Sequence, residues 1–242
     1  MIDNVPIKLI AFDLDGTLTQ HKTPLDSAHR GILDALGKRF RLLMVGAGSA
    51  QRIFKQLGGY PIDVIGNYGL QWGRYNPETG LLDIVADHRL PCDRDNVDAR
   101  VTALRRQFGY EKFAGDNVEY HESGCITFPL LGTQAAPFDK LRFDPDRSIR
   151  RKLYPAVVQA FPEYTVFVGG SSSFDLAPLP YNKYYALDQY CAQLCLRHDQ
   201  VAYVGDDYGP GGNDECVYRS DFPFIPVDDY TKLSHSLAEL LA

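Results

Sequence analysis

Ile7 to Leu14 form a near-continuous apolar run that stops at acidic residues and Gly16. This is the pattern of a buried parallel strand whose carboxyl end carries function. Ala28, Ile32, Leu33, Ala35 and Leu36 then recur at helical spacing, with Asp26 or Ser27 as the cap and Gly37 as the stop. Leu42 to Val45 reads as a second buried strand and Gly46 to Ser49 as a tight turn. Ile53, Phe54 and Leu57 make the inner face of a short helix closed by Gly58 and Gly59. Strand, helix, strand, helix predicts an α/β fold with a Rossmann-like parallel sheet.

The middle of the chain breaks this rhythm. Gln71 to Tyr75 and Leu81 to Val85 flank the turn-rich segment 76–80 and predict a hairpin. Helices are expected over 97–108 and 149–161, with short strands over 118–121, 125–129, 164–168 and 173–177, an α+β arrangement. From Lys183 the α/β rhythm returns: a helix through about Arg197, a buried strand Val201 to Val204, a short helix after Asn213, a strand near Phe224 to Val227 and a terminal helix. The economical organisation is one α/β core, 1–87 and 183–242, interrupted by an inserted domain over 88–182.

Composition narrows the class. The 242 residues are 45% hydrophobic and 23% charged with a net charge of −6, which fits a globular protein large enough to need no disulfide or structural metal. The five cysteines form no CxxC pair and the six histidines show no ligand spacing, so a zinc site is not expected, and a reducing cytoplasm is the simplest location. Cys191 and Cys195 share a helix face and read as packing, as do Trp72 and the many tyrosines. No basic flank precedes an apolar leader and no apolar stretch is long enough to span a bilayer, so neither secretion nor a membrane partner is expected. The absence of a basic block likewise argues against nucleic acid.

Two strand ends carry the chemistry. Asp13-Leu14-Asp15-Gly16-Thr17 closes the first strand, where open α/β sheets present ligands. By itself it reads more simply as a strand end with capping carboxylates. Gly205-Asp206-Asp207 repeats the pattern late in the chain, followed by Gly209-Pro210-Gly211-Gly212-Asn213-Asp214. Side by side in one sheet, these ends form an oxygen-rich pocket suited to Mg²⁺. The small-residue turn Gly46-Ala47-Gly48-Ser49 and Lys183 at a helix start add backbone N–H groups, a hydroxyl and an ammonium for a phosphoryl group. A dinucleotide fingerprint over the same glycines is disfavoured, because the third glycine is missing and the acidic pair would have no role.

In this order the residues resemble the four motifs of the haloacid dehalogenase superfamily of Mg²⁺-dependent phosphotransferases. VGAGSAQRIFKQLGG, the segment Val168 to Asp175, and GDDYGPGGND resemble its eukaryotic-type phosphomannomutase branch. The resemblance implies a Rossmann-like core, an inserted α+β cap that selects substrate, and often a homodimer through the cap. It implies Asp13 as the nucleophile, Asp15 as the general acid/base and Lys183 as the neutralising cation. Mg²⁺ would be held by Asp13, the Asp15 carbonyl and Asp206, with Thr17, Asn213 and Asp214 orienting phosphate, loop and the metal's own surroundings.

The departures bear on the reaction. Gly48 stands where the family has a serine, with Ser49 one place later, so Ser49 either reaches the phosphate or caps a helix. Ser173 and Asp175 match positions that hold sugar hydroxyls, and Lys22 and Lys140 replace arginines of the substrate site. Glu122, or His121 under a one-residue shift, and Thr133 stand where two further arginines would grip the distal phosphate. At roughly 1.5–3 kcal/mol per charge-assisted hydrogen bond, two lost arginines weaken that grip by roughly 10²–10⁴. Hydrolysis of a phosphorylated sugar or similar small metabolite is therefore expected to outrun isomerisation. A true hexose-phosphate mutase is the alternative, and an inactive sugar-phosphate binding protein the third.

Overall fold

The computed structural model describes residues 6–242; the first five, part of the stretch read above for a leader, lie outside the described residues. The chain packs as two compact units, one containing the residues up to Asp87 with Asn182–Gly209 and Asp214–Ala242, the other His88–Tyr181 with Pro210–Asn213.

The first unit begins β1 (Leu9–Phe12), α1 (Ser27–Leu36), β2 (Arg41–Val45), α2 (Ala50–Gln56), β3 (Asp63–Gly66), β4 (Gln71–Asn76) and β5 (Leu81–Asp87). In the second unit follow α3 (Arg94–Phe108), β6 (Glu119–Tyr120), β7 (Ile126–Pro129), α4 (Pro137–Phe143), α5 (Ser148–Ala160), β8 (Tyr164–Phe167) and β9 (Ser173–Pro178). The chain returns through α6 (Lys183–Leu194), β10 (Val201–Gly205), α7 (Glu215–Tyr218), β11 (Phe224–Pro226), α8 (Leu233–Ser236) and α9 (Ala238–Leu241).

Seven strands form one sheet in the order β11-β10-β1-β2-β3-β4-β5, parallel from β11 to β3 and antiparallel at β4 and β5. Alternate residues of each strand enter different cores, as a two-sided sheet requires. Ile10, Phe12, Met44, Val64 and Val204 pack with Leu33, Leu36, Ile53 and Leu57. Leu9, Ala11, Leu43, Val45, Ile65 and Tyr203 pack with Leu187 and Cys191. Phe12 is in register with both Met44 and Val204, so the residue that follows it, Asp13, lies at the carboxyl edge between two covered strands.

Three elements differ from the sequence expectation. β3 was not anticipated, because four residues between Pro61 and Asn67 are too short to show a period. α4 buries none of its residues and so has no apolar stripe to betray it. α6 stops at Cys195, whose φ of 53° takes the chain left-handed, short of the expected Arg197. Among the described residues no helix is long and apolar enough to cross a membrane, and all five cysteines are free thiols.

The second unit is a four-stranded sheet, β6-β7-β9-β8, antiparallel throughout, with Val97, Val101, Leu104 and Val157 of α3 and α5 packed on Ile126, Phe128, Phe174 and Leu176. Two guanidinium groups are buried in it. Arg105 donates to the carbonyls of Tyr110, Asn117, Pro129 and Leu130. Arg150 Nε meets Asp144 Oδ2 at 2.8 Å, and its Nη1 donates to the carbonyls of Gly169, Gly170 and Ser173. Removing one partner of a buried pair strands the other charge, which typically costs about 3–5 kcal/mol. Arg150→Met is expected to lower the urea midpoint by a corresponding amount, followed by circular dichroism.

Candidate active site

The β1 strand ends because Asp13 N donates to Val204 O and the chain then turns: Leu14 O receives the amides of Thr17, Leu18 and Thr19. Gly16 serves this turn in two ways. Its φ is 99°, open to glycine, and a Cβ there would overlap the Asp206 carboxylate. On β10 a Cβ at Gly205 would lie 2.6 Å from Asp214 Oδ2. Both glycines let a carboxylate lie against bare backbone.

Lys183 is the first residue of α6, set there by Asn182, whose side chain accepts from Tyr185 N at 2.8 Å. Its ammonium is fully buried and donates to Asp13 Oδ1 at 2.5 Å and to Asp214 Oδ1 at 2.7 Å. Asp214 is saturated by the protein: Oδ1 also accepts the Tyr203 hydroxyl at 2.6 Å and Oδ2 accepts Asp207 N at 3.0 Å. Among the described residues Asp206 accepts only from Thr17 Oγ1, at 3.0 Å. Asp13, Asp206 and Asp214 bring carboxylate oxygens within 4.8 Å of one another, the one such group among the described residues.

Three carboxylates against one ammonium leave two buried negative charges, and the ionisation equilibria respond. Burial pushes Asp13 well above the usual carboxylate range, against the pull of Lys183 and with Asp214 and Asp206 adding to the rise. Burial and Asp214 push Asp206 up to about 6. For Lys183, burial alone would lower the pKa, but Asp13 and Asp214 together hold it raised and the group charged. Burial and then Asp214 raise Tyr203, so its hydroxyl stays protonated and donates. The donor set, hard oxygens with excess negative charge, fits a small divalent cation. Asp13 and Asp206 have the open lone pairs to hold it, whereas Asp214 has given its own to Lys183, Tyr203 and Asp207.

Asp15 stands outside this cluster. Its Oδ1 accepts from Lys22 N and Gln56 Nε2, each at 2.7 Å, and from Thr19 Oγ1 at 3.4 Å, which leaves Oδ2 without a protein donor among the described residues. Lys22 joins through its backbone while its side chain is exposed, at a φ of 59°. Ser49 caps α2, its Oγ accepting Arg52 N at 3.3 Å.

The remaining sequence candidates lie in the second unit. Ser173 and Asp175 share one face of β9: Ser173 Oγ donates to Gly169 O, and Asp175 Oδ1 accepts Thr127 Oγ1 at 3.0 Å, itself 3.1 Å from His121 Nε2. Lys140 Nζ donates to Thr133 O, and the Thr133 hydroxyl is engaged with Asp116. Glu122 pairs with Arg89 at 3.0 Å, both exposed. Asn213 belongs to this unit as well.

Residues 107–224 match the eukaryotic phosphomannomutase family model. A probable phosphomannomutase of Caenorhabditis elegans is 25% identical over 88% of this chain and 87% of its own length, and the Saccharomyces cerevisiae phosphomannomutase 27% identical over 88% and 85%. The chain is phosphomannomutase-like. Solved structures agree on the fold: a truncated, IMP-bound IMP-nucleotidase of Plasmodium falciparum superposes with a TM-score of 0.74 at 15% identity over 98% of this chain and 68% of its own. A trehalose-6-phosphate phosphatase related protein superposes at 0.52, with 16% identity over 97% of both chains. These similarities support a phosphotransferase-class enzyme, and the buried cluster lies where the sheet of such an α/β fold presents its ligands.

This phosphomannomutase-like site includes two groups that sequence reading passed over. Tyr203 looked like strand packing, yet its hydroxyl is tied to Asp214; only an aromatic with a polar tip at a fully buried strand position hinted at it. Gln56 looked like the polar face of a short helix, yet it holds Asp15.

The raised pKa of Asp206 has a stability consequence. The unfolded chain releases this proton near pH 4 and the folded one near 6, so the contribution favours folding below about pH 4 and is lost as pH rises to about 6. Two pKa units amount to about 3 kcal/mol. Asp206→Asn is therefore expected to raise the melting temperature at pH 7.5 in EDTA, and the gain over wild type should vanish by pH 4. Paired melts across this range measure it.

Proposed function

We propose that the protein is a Mg²⁺-dependent phosphotransferase that hydrolyses a phosphorylated sugar or similar small metabolite through an aspartyl-phosphate. The observation that carries this reading is the buried lysine joining Asp13 to Asp214 beside Asp206. Mg²⁺ would be held by Asp13, Asp206 and the Asp15 carbonyl, and when bound it would supply positive charge to the transferring phosphoryl oxygens.

Lys183 holds Asp13 through Oδ1 and leaves Oδ2 to attack phosphorus. A P–Oδ2 bond forms as the ester P–O bond breaks, and the leaving oxygen takes a proton from Asp15. The contacts of Asp15 support this role, because Oδ1 is held by Gln56 and Lys22 while Oδ2 is left for the proton. Asp15 then takes a proton from water, whose oxygen attacks phosphorus; the P–Oδ2 bond breaks, freeing inorganic phosphate and Asp13. Thr17, Ser49 and Asn213 are assigned to the phosphate and its loop. Residues 88–182 are assigned as the cap, with Ser173, Asp175, Lys140 and Lys22 meeting the substrate.

Two observations bear on hydrolysis against isomerisation. The Thr133 hydroxyl is engaged with Asp116 and Lys140 donates to the Thr133 carbonyl, which supports a weak hold on a second phosphate. Glu122 is partly neutralised by Arg89, so its repulsion is smaller than the bare sequence implies, and the mutase names of the sequence relatives favour the second reading, a hexose-phosphate mutase. A cytoplasmic location and a dimer through the cap belong to the same proposal; sedimentation tests the dimer.

Asp13→Asn is expected to abolish turnover with the fold intact, because an amide is a poor nucleophile and a weaker ligand. Asp15→Asn should slow alkyl phosphates by about 10²–10⁴ and activated aryl phosphates much less; equal loss on both would make Asp15 a structural residue.

On a panel of hexose phosphates scored for both products, inorganic phosphate should exceed isomerised sugar. Efficient conversion of mannose 1-phosphate to mannose 6-phosphate with little phosphate released would establish the mutase instead.

A further inference from the structure

The turn after β2 holds an arginine in an unusual seat. Gly46–Ser49 is braced from below: Asn67 N donates to Gly48 O, Tyr68 N donates to Gly46 O, and a Cβ at Gly66 would lie 2.6 Å from Gly48 O. Over the turn lies Arg52, from the first turn of α2, so close that a Cβ at Gly48 would collide with its Nη2, Nε and Cζ. A side chain at position 48 and this seat for the guanidinium exclude each other. The missing side chain at Gly48 is thus occupied space.

The guanidinium is also connected. Its Nη1 donates to Gln56 Oε1 at 3.0 Å, and Gln56 Nε2 donates to Asp15 Oδ1 at 2.7 Å. Among the described residues no protein acceptor takes Nε or Nη2, which keeps two donors of the planar fork open. β1 and β2 are adjacent and parallel, so the Gly46–Ser49 turn and the Asp13–Thr17 loop leave the same edge of the sheet. A cation at this edge, two hydrogen bonds from one of the carboxylates and without a carboxylate partner of its own, is placed to receive an anion, and a guanidinium fork matches phosphate oxygens in pairs.

We propose that Arg52 is an anion-binding residue of the phosphoryl site: its guanidinium, seated over Gly48 and tied through Gln56 to Asp15, receives the oxygens of a phosphate monoester dianion. The assignment rests on the phosphotransferase reading above. It differs from the plain alternative, a solvated arginine paired with Gln56 one helical turn away, in what its removal does to phosphate.

The probes are inorganic phosphate, measured by calorimetry in Mg²⁺ and as a product inhibitor, and an aryl phosphate as substrate. Arg52→Ala should weaken phosphate and raise KM by about tenfold to hundredfold, the scale of a charge-assisted hydrogen bond, with the melting temperature unchanged because the side chain is exposed. Arg52→Lys should recover part of the loss, since an ammonium keeps the charge without the fork. Gly48→Ala should push the flexible guanidinium off the turn and weaken phosphate likewise, but add nothing in the Arg52→Ala background. Unchanged phosphate affinity and KM in Arg52→Ala, or an undiminished Gly48→Ala effect in that background, overturns the assignment alone. A wild type that neither hydrolyses aryl phosphate nor binds inorganic phosphate overturns the phosphotransferase reading, and the assignment with it.

Discussion

An ammonium with no access to water, gripped by two carboxylates that are themselves buried, is the constraint around which the first unit is arranged. Desolvating such ions is favourable only if each finds its full set of partners. The surroundings of Lys183 read as that set. Asn182 caps α6 so that the lysine starts the helix, Tyr203 and the Asp207 amide complete Asp214, and the glycines at 16 and 205 admit the carboxylates against backbone. Even so, the set leaves negative charge in excess. The donor set thus fits a small divalent cation, and the raised pKa of Asp206 is the cost of holding its carboxylate among the others.

The second unit solves a similar problem with a different cation. Arg105 and Arg150 are as buried as Lys183, but their donors go mainly to backbone carbonyls, including those of Gly169, Gly170 and Ser173 around the turn into β9. They fix loops. The polar side chains on the other face of this sheet, Thr127 and Asp175 with His121, form a hydrogen-bonded line. The two units thus differ in their polar groups: the first gathers carboxylates around a lysine, and the second spreads directional hydrogen bonds over loops and one sheet face.

Much of this was legible in the sequence, for physical reasons that can be named. Buried parallel strands are apolar runs, so β1, β2 and β10 stood out, and carboxylates at their ends stood out against them. Asp13, Lys183, Asp206 and Asp214 were singled out from the chain, and the structure gathers them. What stayed hidden depends on neighbours that no local pattern reports. β3 is too short for a period and α4 packs no apolar face. The Tyr203 hydroxyl, the reach of Gln56 and the seat of Arg52 over Gly48 involve polar atoms whose partners lie on another strand or turn. A glycine in a turn reads as conformational freedom, whereas here it also measures the space a neighbour fills.

The order in which the chain is made gives the sheet a further property. β1 is central, yet its neighbour β10 is encoded near the other end, and Asp13 precedes the lysine it binds by 170 residues. At a translation rate of about 5–20 residues per second, roughly ten to thirty seconds separate the two. During that interval the Asp13 carboxylate lacks the Lys183 ammonium, β1 lacks the strand β10 beside it, and the second unit, all but its last four residues, is being made. The cluster of Lys183 with Asp13 and Asp214 therefore closes late in synthesis, after most of the chain has been made.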